Sequence, residues 1–72
     1  MAKKIVVLGA AESGIGAAVL AQKEGFDIFV SDFGKIKPEY KEMLEKYHIA
    51  WEEGMHTESI VLAADEIIKS PG

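Results

Sequence analysis

The segment Gly9-Ala10-Ala11-Glu12-Ser13-Gly14 joins an apolar run, Ile5-Val6-Val7-Leu8, to an alanine-rich helical stretch. A strand–turn–helix of this kind suits an anionic phosphate, because backbone N–H groups and the positive end of the helix dipole converge at the turn. Gly9 permits the tight turn, Gly14 lets the helix lie close to the strand, and Ser13 brings a hydroxyl that can cap the helix or donate to a phosphate oxygen. The same residues would also serve a plain helix start with no ligand. Asp32 follows a second apolar run, Ile28-Phe29-Val30, and lies 18 residues beyond Gly14. A carboxylate there can take the ribose hydroxyls of a dinucleotide or, for a uridine ligand, the imide hydrogen of the base. An Asp that merely forms a turn before Phe33-Gly34 is the plainer alternative. A third loop, Ser70-Pro71-Gly72, closes the chain.

Two sharper nucleotide fingerprints fail at the first loop. The phosphate loop of ATPases ends in Gly-Lys-Ser/Thr, whereas Gly14 is followed by Ile15 and Gly16, so ATP hydrolysis at this loop is not indicated. The dinucleotide fingerprint needs a middle glycine for close approach of the pyrophosphate, and that place is held by Ala11. The methyl group weakens a nicotinamide-cofactor reading, that of an oxidoreductase or redox-sensing regulator, without excluding it. No helix carries a metal-ligand spacing, and no Ser/His/acid trio is suggested. His56, beside a glycine turn and before a capped helix, reads as a surface or capping residue before it reads as a ligand. Trp51 and the two tyrosines read as core and sheet-edge packing.

The elements that must position these loops follow from pattern and punctuation. Ile5–Leu8 is apolar without alternation, as in a strand covered on both faces. Ile15 to Glu24 forms a helix beginning near Ser13 or Gly14. Ile15, Ala18, Val19 and Gln22 make one stripe, Ala17, Leu20 and Ala21 widen the apolar side toward a sheet, and Gly25 is the stop. Asp27 to Ser31 is a second strand. Pro38 opens a second helix whose Tyr40, Met43, Leu44 and Tyr47 recur at core-facing spacing. Ile49-Ala50-Trp51 is a short third strand. Thr57 can cap a third helix reaching about Ala64, and Glu66 to Lys69 reads as a fourth strand. Strands and helices alternate throughout. The fold class is therefore α/β: a Rossmann-like open parallel sheet of about four strands, with right-handed crossovers placing helices on both faces. The chain reads as cut rather than finished, with an exposed sheet edge where a further strand belongs.

Whole-chain properties narrow the classes. With 72 residues there is room for one small domain with a thin core, yet 49% of the residues are hydrophobic, which implies surface meant to meet something else. A net charge of -4, with acidic residues spread along the chain, argues against nucleic acid or an anionic membrane as a partner through bulk charge. The absence of cysteine removes disulfides and thiolate metal sites, and a cytoplasmic setting is the natural default. The N-terminal apolar run is too short for a membrane span or a signal peptide.

Lys4-Ile5-Val6-Val7-Leu8-Gly9 followed by Glu12-Ser13-Gly14 resembles the opening of the muramoyl-alanine:D-glutamate ligases. Ser31-Asp32, Gly54-Met55-His56 and Ser70-Pro71-Gly72 fall at that family's places as well. The resemblance covers residues 1–72 but only part of the family's chain, and it implies an N-terminal domain for the UDP-muramoyl-peptide. A central ATPase domain and a C-terminal domain would be absent. It further implies that Ala11, Glu12, Ser13 and Gly14 lie against the diphosphate and uracil, that Asp32 and Phe33 meet the uracil edge, and that Ser70 and Gly72 help close the pocket. The implied substrate is UDP-N-acetylmuramoyl-L-alanine. ATP and Mg2+ would act in the full-length enzyme, through an acyl phosphate on the alanine carboxylate, and this chain alone would hold no cofactor and perform no catalysis. Glu12 departs from what a phosphate-facing loop wants: either its side chain turns outward and only its amide serves, or the ligand lies differently.

Overall fold

A computed structural model describes residues 2–69. The elements are β1 (Lys4–Leu8), α1 (Glu12–Lys23), β2 (Asp27–Asp32), α2 (Pro38–Lys46), β3 (Ala50–Glu53), α3 (Glu58–Leu62) and β4 (Glu66–Lys69). The four strands are parallel in one sheet of order β3-β2-β1-β4. Two crossovers step outward from β1, and the third carries the chain back past it to β4. The strand order therefore reverses at β1, which makes the ends of β1 and β4 the switch point where open α/β sheets form their ligand crevice.

Register explains the two faces. Ile5 pairs with Ile28, and Val7 with both Val30 and Ile68. These side chains lie under α1 and α2, where they meet Ile15, Ala18 and Leu44 in one buried cluster. Val7, Val30 and Leu44 are fully buried, and each such aliphatic side chain stabilises the fold by about 1.5–3 kcal/mol. On the opposite face Val6, Phe29 and Ala50 stand in register, and Ser59, Ile60, Ala63 and Ala64 at and after α3 line a groove with them. Helices thus cover both faces, as the alternation of elements predicts.

Both long helices end in the same way. At α1 the Gly25 N–H reaches the Gln22 carbonyl and the Phe26 N–H the Ala21 carbonyl; at α2 the His48 N–H reaches Glu45 and the Ile49 N–H reaches Leu44. Each pair is the crossed bonding of a Schellman motif, and the residue at its centre is left-handed: Gly25 at φ 92 and His48 at φ 56. Ile49, predicted as the start of the third strand, is instead the apolar residue that closes the second motif, and β3 begins one residue later.

Three further boundaries differ from the sequence pattern. α1 opens at Glu12, since the Ala11 carbonyl already receives the Ile15 N–H at 2.9 Å. β2 extends through Asp32, which pairs with Glu53. α3 stops at Leu62 rather than near Ala64, where the chain is tied to the start of β1 ahead of β4: the Asp65 N–H binds the Lys4 carbonyl and the Asp65 carboxylate receives the Lys4 N–H, both at 2.8 Å. Thr57 stands at the N-cap of α3 but does not cap it; its N–H and hydroxyl are both donated to Glu52. Leu20, predicted on the sheet side of α1, is 63% exposed and borders a groove with Ala17, Phe26 and Ile68 toward β4. Met43 is likewise partly exposed. Among the described residues no helix is long and apolar enough to cross a membrane.

Candidate functional site

The C-terminal ends of β1 and β2 are tied together by backbone and carboxylate. Gly9 turns with φ 102, a conformation that L side chains resist, and its N–H reaches the Ser31 carbonyl at 2.8 Å. The next residue, Ala10, is buried and donates its N–H to Asp32 Oδ2 at 2.8 Å. The other carboxylate oxygen, Oδ1, receives the Gly34 N–H at 2.8 Å. Asp32 is therefore a clamp between the first loop and the second. A carboxylate has about four lone-pair positions, so two backbone bonds leave acceptor capacity for a ligand.

Around this clamp lies a shallow cleft lined by Ala10, Ala11, Asp32, Lys35, Lys37 and Tyr40. The first turn of α1 opens beside it, with Ala11 as N-cap and no side-chain cap. Ser13 occupies the second helical position rather than the cap, and Gly14 is buried within the first turn. Glu12 does not line the cleft. The residue borders the groove between α1 and α2, with Ile15, Gly16, Glu39, Tyr40 and Met43.

Sequence pattern does not single out Lys35 and Lys37, and it reads Tyr40 only as core packing. The two lysines set positive charge on the cleft wall opposite the glycine loop, and Tyr40 adds a ring. The available signal was their position, in the loop directly after Asp32-Phe33-Gly34 and in the first turn of the following helix.

On the other face of the same strand ends, Ser31, Glu52 and His56 come together, a grouping that residue types along the chain do not suggest. Ser31 is fully buried. Its hydroxyl lies 2.9 Å from Glu52 Oε2, 3.1 Å from the Met55 carbonyl and 2.6 Å from His56 Nδ1. Despite its membership this is not a nucleophilic triad. A triad needs an exposed hydroxyl, activated by a histidine that is in turn oriented by the acid; here the acid touches the serine and the serine is buried. Burial pushes the Glu52 carboxyl up, but the Thr57 N–H and hydroxyl, the Ser31 hydroxyl and the charge of His56 together outweigh it and hold the group below its usual range. Beyond the cluster the His56 ring packs on Phe33, centroids 5.7 Å apart at 55°. Phe33, at the end of β2, is 74% exposed, an unusual state for a phenyl ring.

Of the predicted site residues, Ala11, Ser13 and Gly14 lie at the N-cap and first turn of α1, Asp32 and Phe33 at and just after the end of β2, Glu12 borders the neighbouring groove, and Ser70 and Gly72 lie outside the described residues. Trp51, Tyr40 and Tyr47 pack on the core. Among the described residues no group of three or more His, Asp or Glu side chains could hold a metal ion.

The model of the MurD N-terminal domain family matches residues 4–72. The chain is 64% identical over 70 residues to a UDP-N-acetylmuramoylalanine–D-glutamate ligase from Bacteroides thetaiotaomicron, covering 97% of the chain and 16% of that relative. It is 68% identical over 68 residues to the enzyme of the same name from Porphyromonas gingivalis, covering 94% and 15%. The counterpart from Christiangramia forsetii is 58% identical over 72 residues, covering 100% and 16%. The chain thus spans about 15–16% of the length of the curated relatives it matches.

Proposed function

From the premise that the chain belongs to the MurD N-terminal domain family, we propose that it binds the uridine diphosphate end of UDP-N-acetylmuramoyl-L-alanine for a ligase that adds D-glutamate. The observation that carries this reading is the Asp32 clamp, which draws the glycine loop and the end of β2 around one cleft. The positive end of α1 and the two lysines of the cleft wall suit a diphosphate. Asp32 keeps acceptor positions for a base imide, and Phe33 offers a ring beside it.

Binding here would serve chemistry at a distance. A substrate gripped by its nucleotide end presents its alanine carboxylate in a restricted region, which lowers the entropic part of the barrier to reaction. The first loop lacks the Gly-Lys-Ser/Thr ending of an ATPase loop, so ATP is not expected to bind there. Because the chain spans only 16% of a ligase relative's length, activation of the carboxylate is assigned in this reading to the rest of a longer protein, with residues 1–72 as its N-terminal substrate-binding portion, working in the cytoplasm. Kinship with ligases does not favour the dinucleotide reading.

The test is an NMR titration of the chain with UDP-N-acetylmuramoyl-L-alanine, with NADH in parallel. Shifts at Ala11–Gly14, Asp32, Phe33, Lys35 and Gly72 with the uridine ligand alone are the expected result. Shifts with NADH alone would overturn the reading.

A further inference from the structure

The Ser31 hydroxyl has one proton and three polar neighbours, and their chemistry decides where the proton goes. Glu52 Oε2 at 2.9 Å and the Met55 carbonyl at 3.1 Å can only accept. A hydroxyl that gave its proton to His56 would face both oxygens lone pair to lone pair in a buried place. The two shorter contacts are both satisfied if Ser31 donates toward Glu52, leaving the Met55 carbonyl at most a minor share of that proton, and His56 donates from Nδ1, at 2.6 Å, into the serine oxygen. Thr57 fills the remaining face of the carboxylate with its N–H and hydroxyl. The ionised state that this chain of donors requires of Glu52 agrees with the lowering of its carboxyl. The neutral His56 ring is then the Nδ1–H tautomer, the less common one for imidazole in water, with Nε2 on the edge away from Ser31.

The tether also fixes the ring. One edge is held at a buried hydroxyl in β2, and the body packs on Phe33, two residues further along the chain. Phe33 is 74% exposed and follows the Asp32 clamp directly. A phenyl ring with so much surface in water gains little from its place in the fold, whereas a flat ligand group laid on it would cover that surface. We propose that His56 is a positioning residue of the nucleotide site, holding Phe33 as an aromatic wall for the nucleobase through its Nδ1–H bond to Ser31. This rests on the nucleotide reading given above.

The two parts separate experimentally. Long-range 1H–15N spectra of histidine-labelled chain at about pH 8, where an ordinary imidazole is neutral, should show His56 as the Nδ1–H tautomer; an Nε2–H tautomer overturns the tether. His56→Asn places an amide N–H where Nδ1–H was and removes the ring, so the fold should persist while affinity for UDP-N-acetylmuramoyl-L-alanine falls about tenfold. Phe33→Ala should lose a similar factor. Combined with Phe33→Ala, His56→Asn should cost little more, because both remove the same wall. Full additivity of the two, or unchanged affinity in a folded His56→Asn chain, overturns the positioning role. If the wild-type chain gives no shifts with the uridine ligand, the nucleotide reading falls and the wall with it, even where the Nδ1–H tautomer is found.

Discussion

Asp32 and Ala10, 22 residues apart in sequence, are joined by a bond of 2.8 Å from the Ala10 N–H to Asp32 Oδ2, and this bond sets the distance between the two loops of the cleft. Asp32→Ala leaves that N–H, on a buried residue, and the Gly34 N–H without their acceptor. A loss of about 1–3 kcal/mol of stability is expected from the buried donor alone. Binding of the uridine ligand should weaken with it, so affinity and unfolding must be measured on the same variant. Asp32→Asn retains one carbonyl oxygen and should recover part of the stability. If both variants unfold as the wild type does, the clamp has no energetic role.

Much of this arrangement is legible along the chain, for a physical reason. Ile5-Val6-Val7-Leu8 and Ile28-Phe29-Val30 are unbroken apolar runs because the sheet is covered on both faces, and Gly25 marks the end of α1 because a left-handed residue is needed there. The glycine loop and Asp32 are legible because the first strand–turn–helix and the end of the second strand have fixed places in this topology. The Ser31–Glu52–His56 cluster is not legible. Its members lie 21 and 25 residues from Ser31 and meet only through the register Ser31↔Glu52 and the turn after β3. Thr57 misleads for a related reason. Its type and place announce a helix cap, but the Glu52 carboxylate, five residues back across the turn after β3, takes the hydroxyl first.

Gly25 and His48 hold equivalent left-handed positions, so substitutions at the two should act in opposite directions. Gly25→Ala meets nothing within 4 Å. Only the backbone at φ 92 opposes it, and a cost of about 1 kcal/mol is expected. His48→Gly removes a side chain from φ 56 and should raise stability by up to about 1 kcal/mol, reduced by the extra freedom of glycine in the unfolded chain. Chemical denaturation of the two variants checks the pair. A destabilised His48→Gly chain would mean that contacts of the imidazole and the freedom glycine adds to the unfolded chain together outweigh the strain.

Gly9 and Gly16 flank the start of α1 and separate a required glycine from a dispensable one. Gly9→Ala must place a Cβ at φ 102 in the turn that delivers Ala10 to Asp32. The expected cost is about 1–3 kcal/mol, with loss of ligand binding. Gly16 is exposed inside the helix, and a Cβ built there meets nothing within 4 Å. Gly16→Ala should therefore stabilise the chain by about 0.5–1 kcal/mol and leave binding intact, even though the residue borders the groove between α1 and α2. Calorimetry on both variants is the check, and weakened binding in Gly16→Ala would extend the site into that groove.

Glu52 and Glu53, adjacent at the end of β3, should shape the acid limb of stability. The Lys41 ammonium, at 2.8 Å, and the Ile36 N–H hold the Glu53 carboxyl below its usual value of 4.5. For Glu52, burial works upward, but the bonds from Thr57 and Ser31 and the charge of His56 bring the net value down as well. A carboxyl lowered in the folded state contributes stability that is fully present above its unfolded value and is lost as pH falls through the folded one. The thermal midpoint should therefore drop as pH is taken from about 5 toward about 3. Glu52→Gln and Glu53→Gln should each lower the midpoint at neutral pH and flatten this descent. Glu53→Gln should also reduce the response to added salt, because it removes an ion pair that is only partly shielded from solvent. If the acid limbs of wild type and variants superimpose after the neutral-pH offset is subtracted, other carboxyl groups govern acid unfolding.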